Sequence, residues 1–332
     1  MTAKIPRNIW ALAALLATFP AGMAKAQSDA AAAFPSRTIT ILVPFAAGGP
    51  PDVVARVIAP LMSEALGKPV VIENRPGAST TIVHHAVARA DADGHTLMAL
   101  DPSHTVVPHI LAKPGFEPLK DYKYIALTAQ SVLTVVIDPK LPIKNAVELV
   151  TYAKQNPGDL KAGHTGAGTP PHLGLVGLTE PTGMTVTQVV YKGAAIAIND
   201  VVGGHISMLV TAPSTSAQLH LSGRARVVGV TGAKRLSSLP DVPTLKEQGI
   251  ETPSLDSGVW FGLAAPAGTA DAIIAKLNAA TNKAVQDKGA IATLAKTDIF
   301  MTGGSVQDCE NLVRTQLGVW RDLMKKAGVK PE

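Results

Sequence analysis

The 332-residue chain is 46% hydrophobic and 17% charged, apolar material enough for about two domains with full cores, which excludes an intrinsically disordered protein. Its single cysteine, Cys309, excludes an internal disulfide and any multi-cysteine zinc or iron–sulfur centre. The formal charge of +5 does not mark a nucleic-acid binder: Lys4, Arg7 and Lys25 crowd the first 26 residues, no later stretch is a dense Lys/Arg run, and aromatics at 4% are too few for a stacking groove.

At the start of the chain, Lys4 and Arg7 precede an apolar run from Ile9 to Phe19, followed by Ala24-Lys25-Ala26 with small residues at both outer positions. This is the three-part pattern of a secretory signal peptide over residues 1–26, cleaved after Ala26. The apolar run has 11 residues, against the roughly 20 that a membrane span requires. No cysteine follows it, so a lipid anchor is excluded and the expected location is the periplasm.

From Phe34 onward, short β-branched runs alternate with helical spacing. Strands are predicted at 39–43, 70–72 and 96–100, with helices at 52–66 and 81–90 between them. Further strands are predicted at 134–137, around 160–162, and at 188–191, 206–210 and 226–230. A helix over 146–155 ends at the stop signal Asn156-Pro157-Gly158, and two more helices cover 271–286 and 306–327. Strands separated by helices predict an α/β fold built from βαβ units on parallel sheets. A segment at 126–134 and the turn-rich stretch 239–244, extended to 239–256 as a hinge, are candidate crossings. Two crossings give a discontinuous first domain, 34–130 plus 254–332, with a second domain, 131–253, inserted into it.

Candidate binding residues lie in loops that follow strands. Phe45, Ala46, Ala47, Gly48, Gly49 and Asp52 stand between the first strand and the first helix, where Pro50 and Pro51 suit an opening helical turn. A helix start there offers an anion free N–H groups and the positive end of the dipole; the alternative is a plain βα turn. Gly168, Thr169, Pro170 and His172 repeat the arrangement, with Thr169 read as N-cap and Pro170 as the first helical residue. Ala78, Ser79 and Thr80 follow the second strand, Ser103 and His104 follow the third, and Ala212 with Pro213 follow the strand at 206–210.

Signatures of chemistry are missing. The sequence has no G-x-G-x-x-G, no G-x-x-x-x-G-K-[ST], no G-x-S-x-G and no H-E-x-x-H, so neither a cofactor nor a metal is expected. Cys309 lies between Asp308 and Glu310, which disfavours a thiolate and suits a structural cysteine. His84 and His85 are neighbours on a helix and point to different faces. His172, at a helix start, reads as a packing or hydrogen-bonding residue.

With these motifs in view the chain resembles the Bug family of periplasmic solute receptors, the binding components of tripartite tricarboxylate transporters. The matching pieces run from Phe34 to Val329: Pro44-Phe45 with Gly48-Gly49 and Asp52, Glu73-Asn74-Arg75-Pro76-Gly77-Ala78, Asp93-Gly94-His95-Thr96-Leu97, Gly168-Thr169 with His172-Leu173, Tyr191-Lys192-Gly193, Leu239-Pro240-Asp241-Val242-Pro243-Thr244, and Trp260-Phe261-Gly262-Leu263 with Ala265-Pro266-Ala267-Gly268-Thr269. The resemblance implies two α/β domains joined by two crossings, with a ligand cleft between them. It implies a carboxylate ligand (dicarboxylate, amino acid, or aromatic or pyridine carboxylate) held through backbone N–H groups and ordered waters. It also implies membrane transporter subunits as partners, no nucleic-acid partner, a monomer, and no enzymatic activity. A ligand-presenting sensor component and a secreted α/β hydrolase are the rival readings. The chain departs from the family pattern at Ala46 and Ala47, where two prolines are usual, at Ser79 and Thr80, where a glycine pair is common, and at His95, where tyrosine is usual.

Overall fold

The computed structural model describes residues 33–256, 258–326 and 331; the signal peptide read over 1–26 lies outside the described residues. The first half runs β1 (Ile39–Val43), α1 (Pro50–Leu66), β2 (Val70–Asn74), α2 (Thr81–Ala88), β3 (Thr96–Leu100), α3 (Ser103–Ile110), α4 (Pro118–Asp121) and β4 (Tyr122–Ser131). There follow β5 (Thr134–Ile137), α5 (Ala146–Gln155), β6 (Lys161–His164), α6 (Pro170–Thr182), β7 (Thr187–Val190), α7 (Ala194–Gly203), β8 (Met208–Thr211), α8 (Pro213–Leu221) and β9 (Arg226–Val230). The chain closes with β10 (Val259–Pro266), α9 (Asp271–Val285), α10 (Lys288–Ala295), β11 (Ile299–Met301) and α11 (Val306–Lys326).

These strands build two sheets, β11-β4-β10-β3-β1-β2 and β7-β6-β8-β5-β9. The fold is α/β, as the alternation of elements implies. The sheets, however, are mixed. β1 runs parallel to β2 and β3, and β6 runs parallel to β7 and β8. β10 is antiparallel to β3 and β4, β11 to β4, and β5 to β8 and β9. The reason is the chain's path. β4 leaves the first sheet toward β5, and β10 brings the chain back, so the two must run in opposite directions side by side.

Burial explains the elements. In β1, Ile39, Ile41 and Val43 pack with Ile58 of α1 and Ile274 and Leu277 of α9, whereas Leu42 packs on the other face with Val83, Met98 and Trp260. Both faces are covered, so a strand of this kind reads as a continuous apolar run. In the second sheet Val135, Ile137 and Val210 face Leu149 and Leu175, while Val136 and Leu209 face Val201 and Ala217. The first of these clusters continues into the first sheet through Val259 and Phe261 of β10. Cys309 is buried on α11 and burial pushes its thiol up to about 12, in keeping with a structural cysteine.

Both crossings occupy only part of the expected stretches. The stretch 126–134 is mostly strand: β4 extends to Ser131, leaving only Val132 and Leu133 to span the two sheets. The stretch 239–244 does not cross. Leu239 and Val242 are buried in the second sheet's core and Thr244 bridges to Val230 of β9. The return follows Ile250, through a short helical turn at Pro253–Leu255.

Candidate functional site

A cavity of about 430 Å³ lies between the two sheets, at the ends of β1, β3, β6 and β8 from which their helices depart. Its first wall is formed by Phe45, Gly48, Gly49, Pro50 and Pro51 at the start of α1, and by Asp101 after β3. Its second wall is formed by Thr165, Thr169, Pro170 and Pro171 before and at the start of α6, Ala194 opening α7, and Thr211, Ala212, Ser214 and Thr215 around the start of α8. Ser131, Val132 and Leu133 of the crossing, with Val259 and Phe261 of β10, form its back. Four helix N-termini, those of α1, α6, α7 and α8, therefore meet at one cavity. Each brings the positive end of its dipole, which favours an anion.

Of the residues expected to bind, Phe45, Gly48, Gly49, Thr169, Pro170 and Ala212 line this cavity. The others lie behind or beside it. Ala46 and Ala47 are exposed at the tip of the first loop. Asp52 is buried beneath that loop. It accepts the Gly48 N–H at 2.8 Å, the Asn74 amide at 2.9 Å and the Arg56 guanidinium at 2.9 Å. Burial opposes its ionisation, but the hydrogen bonds from Arg56, Gly48 and Asn74 outweigh it and hold the carboxyl below its ordinary value. Asp52 thus shapes the loop without facing the cavity.

Ala78, Ser79 and Thr80 do not form the expected cleft wall. All three adopt left-handed backbone conformations, with φ of 46°, 49° and 71°. This turn draws Thr80 inward, where its hydroxyl lies 3.3 Å from that of Ser103. Ser103 in turn donates to Asp101 Oδ1. His104 belongs to α3 and is fully buried, so a loop position is excluded. Its Nδ1 lies 3.0 Å from His84 Nε2 and its Nε2 lies 3.0 Å from the Tyr124 hydroxyl. Burial pushes both imidazoles down, His84 to about 4.

In the second wall, Thr169 is the N-cap of α6 by position, but its hydroxyl donates back to the Gly166 carbonyl at 2.7 Å. The helix has Pro170 and Pro171 in its first two positions, so of the two N–H groups that an N-cap usually binds only that of His172 remains, and the Thr169 side chain makes no capping bond to it. Gly168 donates its N–H to His172 Nδ1 at 3.2 Å, and His172 lies 4.7 Å from the His164 ring. Burial, with His164 adding to it, lowers His172 to about 4. Pro213 opens α8 between two lining residues.

Not every backbone N–H at these helix starts is open to a ligand. Pro50, Pro51, Pro170, Pro171 and Pro213 carry no N–H, and the N–H groups of Gly48 and Gly168 are engaged within their own loops. What these starts retain is the dipole and the N–H groups of Asp52, His172 and Ser214. Donors come from α7, which opens without proline, and from the Ser214 and Thr215 hydroxyls of α8. No Lys, Arg or His lines the cavity among the described residues.

Asp101 opens the loop expected after the third strand, and the lining residues that sequence reading missed are those that depend on strand order: the Ser131–Leu133 crossing, Thr165, Ala194, Thr211, Ser214, Thr215, Val259 and Phe261. The only local signal was position after a strand, which marked Asp101 and the Tyr191-Lys192-Gly193 stretch ahead of Ala194.

Residues 54–329 match the family model of the tripartite tricarboxylate transporter family receptor. The chain belongs to this receptor family. The structure of the periplasmic binding protein BugD is 32% identical, covers 90% of this chain and all of its own, and superposes with a TM-score of 0.77. Rpa4515 of R. palustris, solved with adipate, is 30% identical, with 90% and 100% coverage and a TM-score of 0.78. MatC of Rhodopseudomonas palustris, solved with bound malate, is 30% identical, with 87% and 99% coverage and a TM-score of 0.76. The fold is that of the two-domain periplasmic binding proteins, and the family is one of solute receptors.

Proposed function

We propose that this receptor captures a small organic carboxylate between two domains, 34–130 plus 254–332 and 131–253. It then hands the ligand to the membrane subunits of a tripartite tricarboxylate-type transporter. In this reading the protein is exported by the leader at 1–26, acts as a monomer in the periplasm and performs no chemistry. The observation that carries the proposal is the convergence of four helix N-termini on one cavity between the two sheets. That arrangement favours an anion without a cationic side chain. The adipate of Rpa4515 and the malate of MatC, both carboxylates, support the ligand class. The cavity volume also falls within the range of small-molecule sites.

The test is a thermal-shift screen with mono-, di- and tricarboxylates, aromatic acids and amino acids, followed by calorimetry of the hits. A true ligand at a hundredfold excess over Kd stabilises the fold by about 2.7 kcal/mol, which raises the melting temperature by a few degrees. If no carboxylate shifts the melting curve while a neutral sugar or a cationic amine does, the proposal fails.

A further inference from the structure

Among the described residues, the hydroxyl-bearing side chains that line the cavity are Ser131, Thr165, Thr169, Thr211, Ser214 and Thr215. A hydroxyl carries one proton, so it donates to one partner at a time. Half of these have already given theirs. Ser131 donates to the Asp298 carbonyl at 3.0 Å, Thr165 to the Thr169 hydroxyl at 3.0 Å, and Thr169 to the Gly166 carbonyl at 2.7 Å. The hydroxyls of Thr211, Ser214 and Thr215 have no hydrogen-bond partner among the described residues. All three stand at one corner, where β8 ends at Thr211 and α8 opens at Pro213. Thr211 is 1% exposed, and its unpaired hydroxyl is the part that meets the cavity. Ser214 adds its N–H, and the α8 dipole points at the same corner. The first wall is poorer in donors, since Pro50 and Pro51 have no N–H and Gly48 gives its own to Asp52.

We propose that Thr211, Ser214 and Thr215 are the specificity-determining residues that receive the ligand's carboxylate, with the rest of the ligand extending toward Leu133, Val259 and Phe261. This rests on the carboxylate-receptor reading and deepens it, placing the carboxylate at the start of α8 instead of at the Gly48 and Gly168 turns. A hydroxyl bond to an ionised oxygen is charge-assisted and stronger than one between neutral groups. A carboxylate accepts about four bonds, which the three hydroxyls and the Ser214 N–H supply. Thr165 and Thr169, bonded as they are, can only accept, so they offer a carboxylate nothing. The corner therefore tells an acid from its ester without a cationic side chain. A site built to hydrogen-bond a polar group rejects the analogue that cannot match it, because its own groups are then poorly paired.

The test is calorimetry at pH 7.5 with adipate, malate and benzoate, joined by the tightest-binding acid of the screen above, each against its fully methylated ester. The proteins are the wild type, Thr211→Val, Ser214→Ala, Thr215→Val and Thr165→Val. The wild type is expected to prefer acid over ester. Ser214→Ala and Thr215→Val are each expected to weaken acid binding about tenfold, several times the loss in Thr165→Val, and to narrow the preference over the ester. Thr215→Ser, which keeps the hydroxyl, is expected to bind within about threefold of wild type. Circular dichroism and melting confirm folding, and because Ser214 is exposed its variant carries the test even where Thr211→Val misfolds. Folded Ser214→Ala and Thr215→Val that bind the acids as wild type does, or that lose no more than Thr165→Val, overturn the inference while leaving the receptor reading intact. Silence from every carboxylate in the wild type overturns both.

Discussion

Gly258 and Ser131 touch where the two chain crossings pass each other: a Cβ at Gly258 would collide with the Ser131 carbonyl oxygen. Their neighbours are already paired, Val259 opposite Ser131 in the β4–β10 ladder. Ser131 and Val259 also line the cavity, so the contact joins the two sheets beside the site.

Gly258→Ala is therefore expected to destabilise the protein. The residue has φ of 61°, unfavourable for alanine, and the neighbour it would strike is backbone, which cannot swing aside. The expected loss is about 2 kcal/mol, read as a lower midpoint in urea unfolding. An unchanged midpoint would show that the crossings part without cost.

Asp52→Asn tests the support beneath the first loop. The variant keeps an acceptor for Gly48 but loses the charge opposite Arg56. The expected loss is about 1–3 kcal/mol at pH 7, with weaker ligand binding because Gly48 lines the cavity. The pH dependence follows from the lowered carboxyl value. The contribution is present above the ordinary value of 3.8 and is lost as pH falls through the lower folded-state value. The difference between wild type and variant should accordingly shrink below pH 3.8, as measured by denaturant titration across pH.

His172 accepts a backbone N–H at Nδ1 and so must be neutral there. Its value is about 4 in the folded protein, against 6.5 when unperturbed. The folded form thus binds fewer protons between these limits, and stability is complete above pH 6.5 and declines as pH falls toward 4. Ligand affinity should hold until pH nears 4, where His172 of the folded protein takes a proton, and should then fall roughly threefold or more as the Gly168 loop is released. His172→Asn places an amide oxygen where Nδ1 stood and does not titrate. Its affinity is expected to vary less with pH, and a profile matching wild type would remove His172 from the explanation.

Ser79 is exposed and holds φ of 49°, a conformation that glycine adopts without strain. Ser79→Gly is expected to stabilise the protein by about 0.5–1 kcal/mol and to leave the ranking of ligands unchanged, since Ser79 does not line the cavity. A reordered ranking would return this turn to the site.

Local signals placed many elements correctly. β1, β3, β5, β9 and α5 stand at the residues that their apolar runs and stop signals indicated. β4, β10 and β11 did not show themselves. Every residue of β10 is buried, so no alternation marks it, and it contains Gly262 and ends at Pro266. In the site, the turns before α1 and α6 were legible from glycine and proline between a strand and a helix. The roles within them were not. Asp52 and His172 stand among the candidate ligand contacts, yet each holds a glycine N–H of its own loop, which for His172 is the hydrogen-bonding role also open to a histidine at a helix start.

By itself the sequence determined the α/β class, the family and the strand-to-helix turns that serve the cavity, because these depend on spacing within some ten or twenty residues. Tertiary structure alone decided that β4 and β10 run antiparallel side by side within the first sheet and that four helix starts meet at one cavity. Those relations are pairings across long stretches of chain, as between Ser131 and Val259, and nothing in the local pattern of either segment specifies its partner.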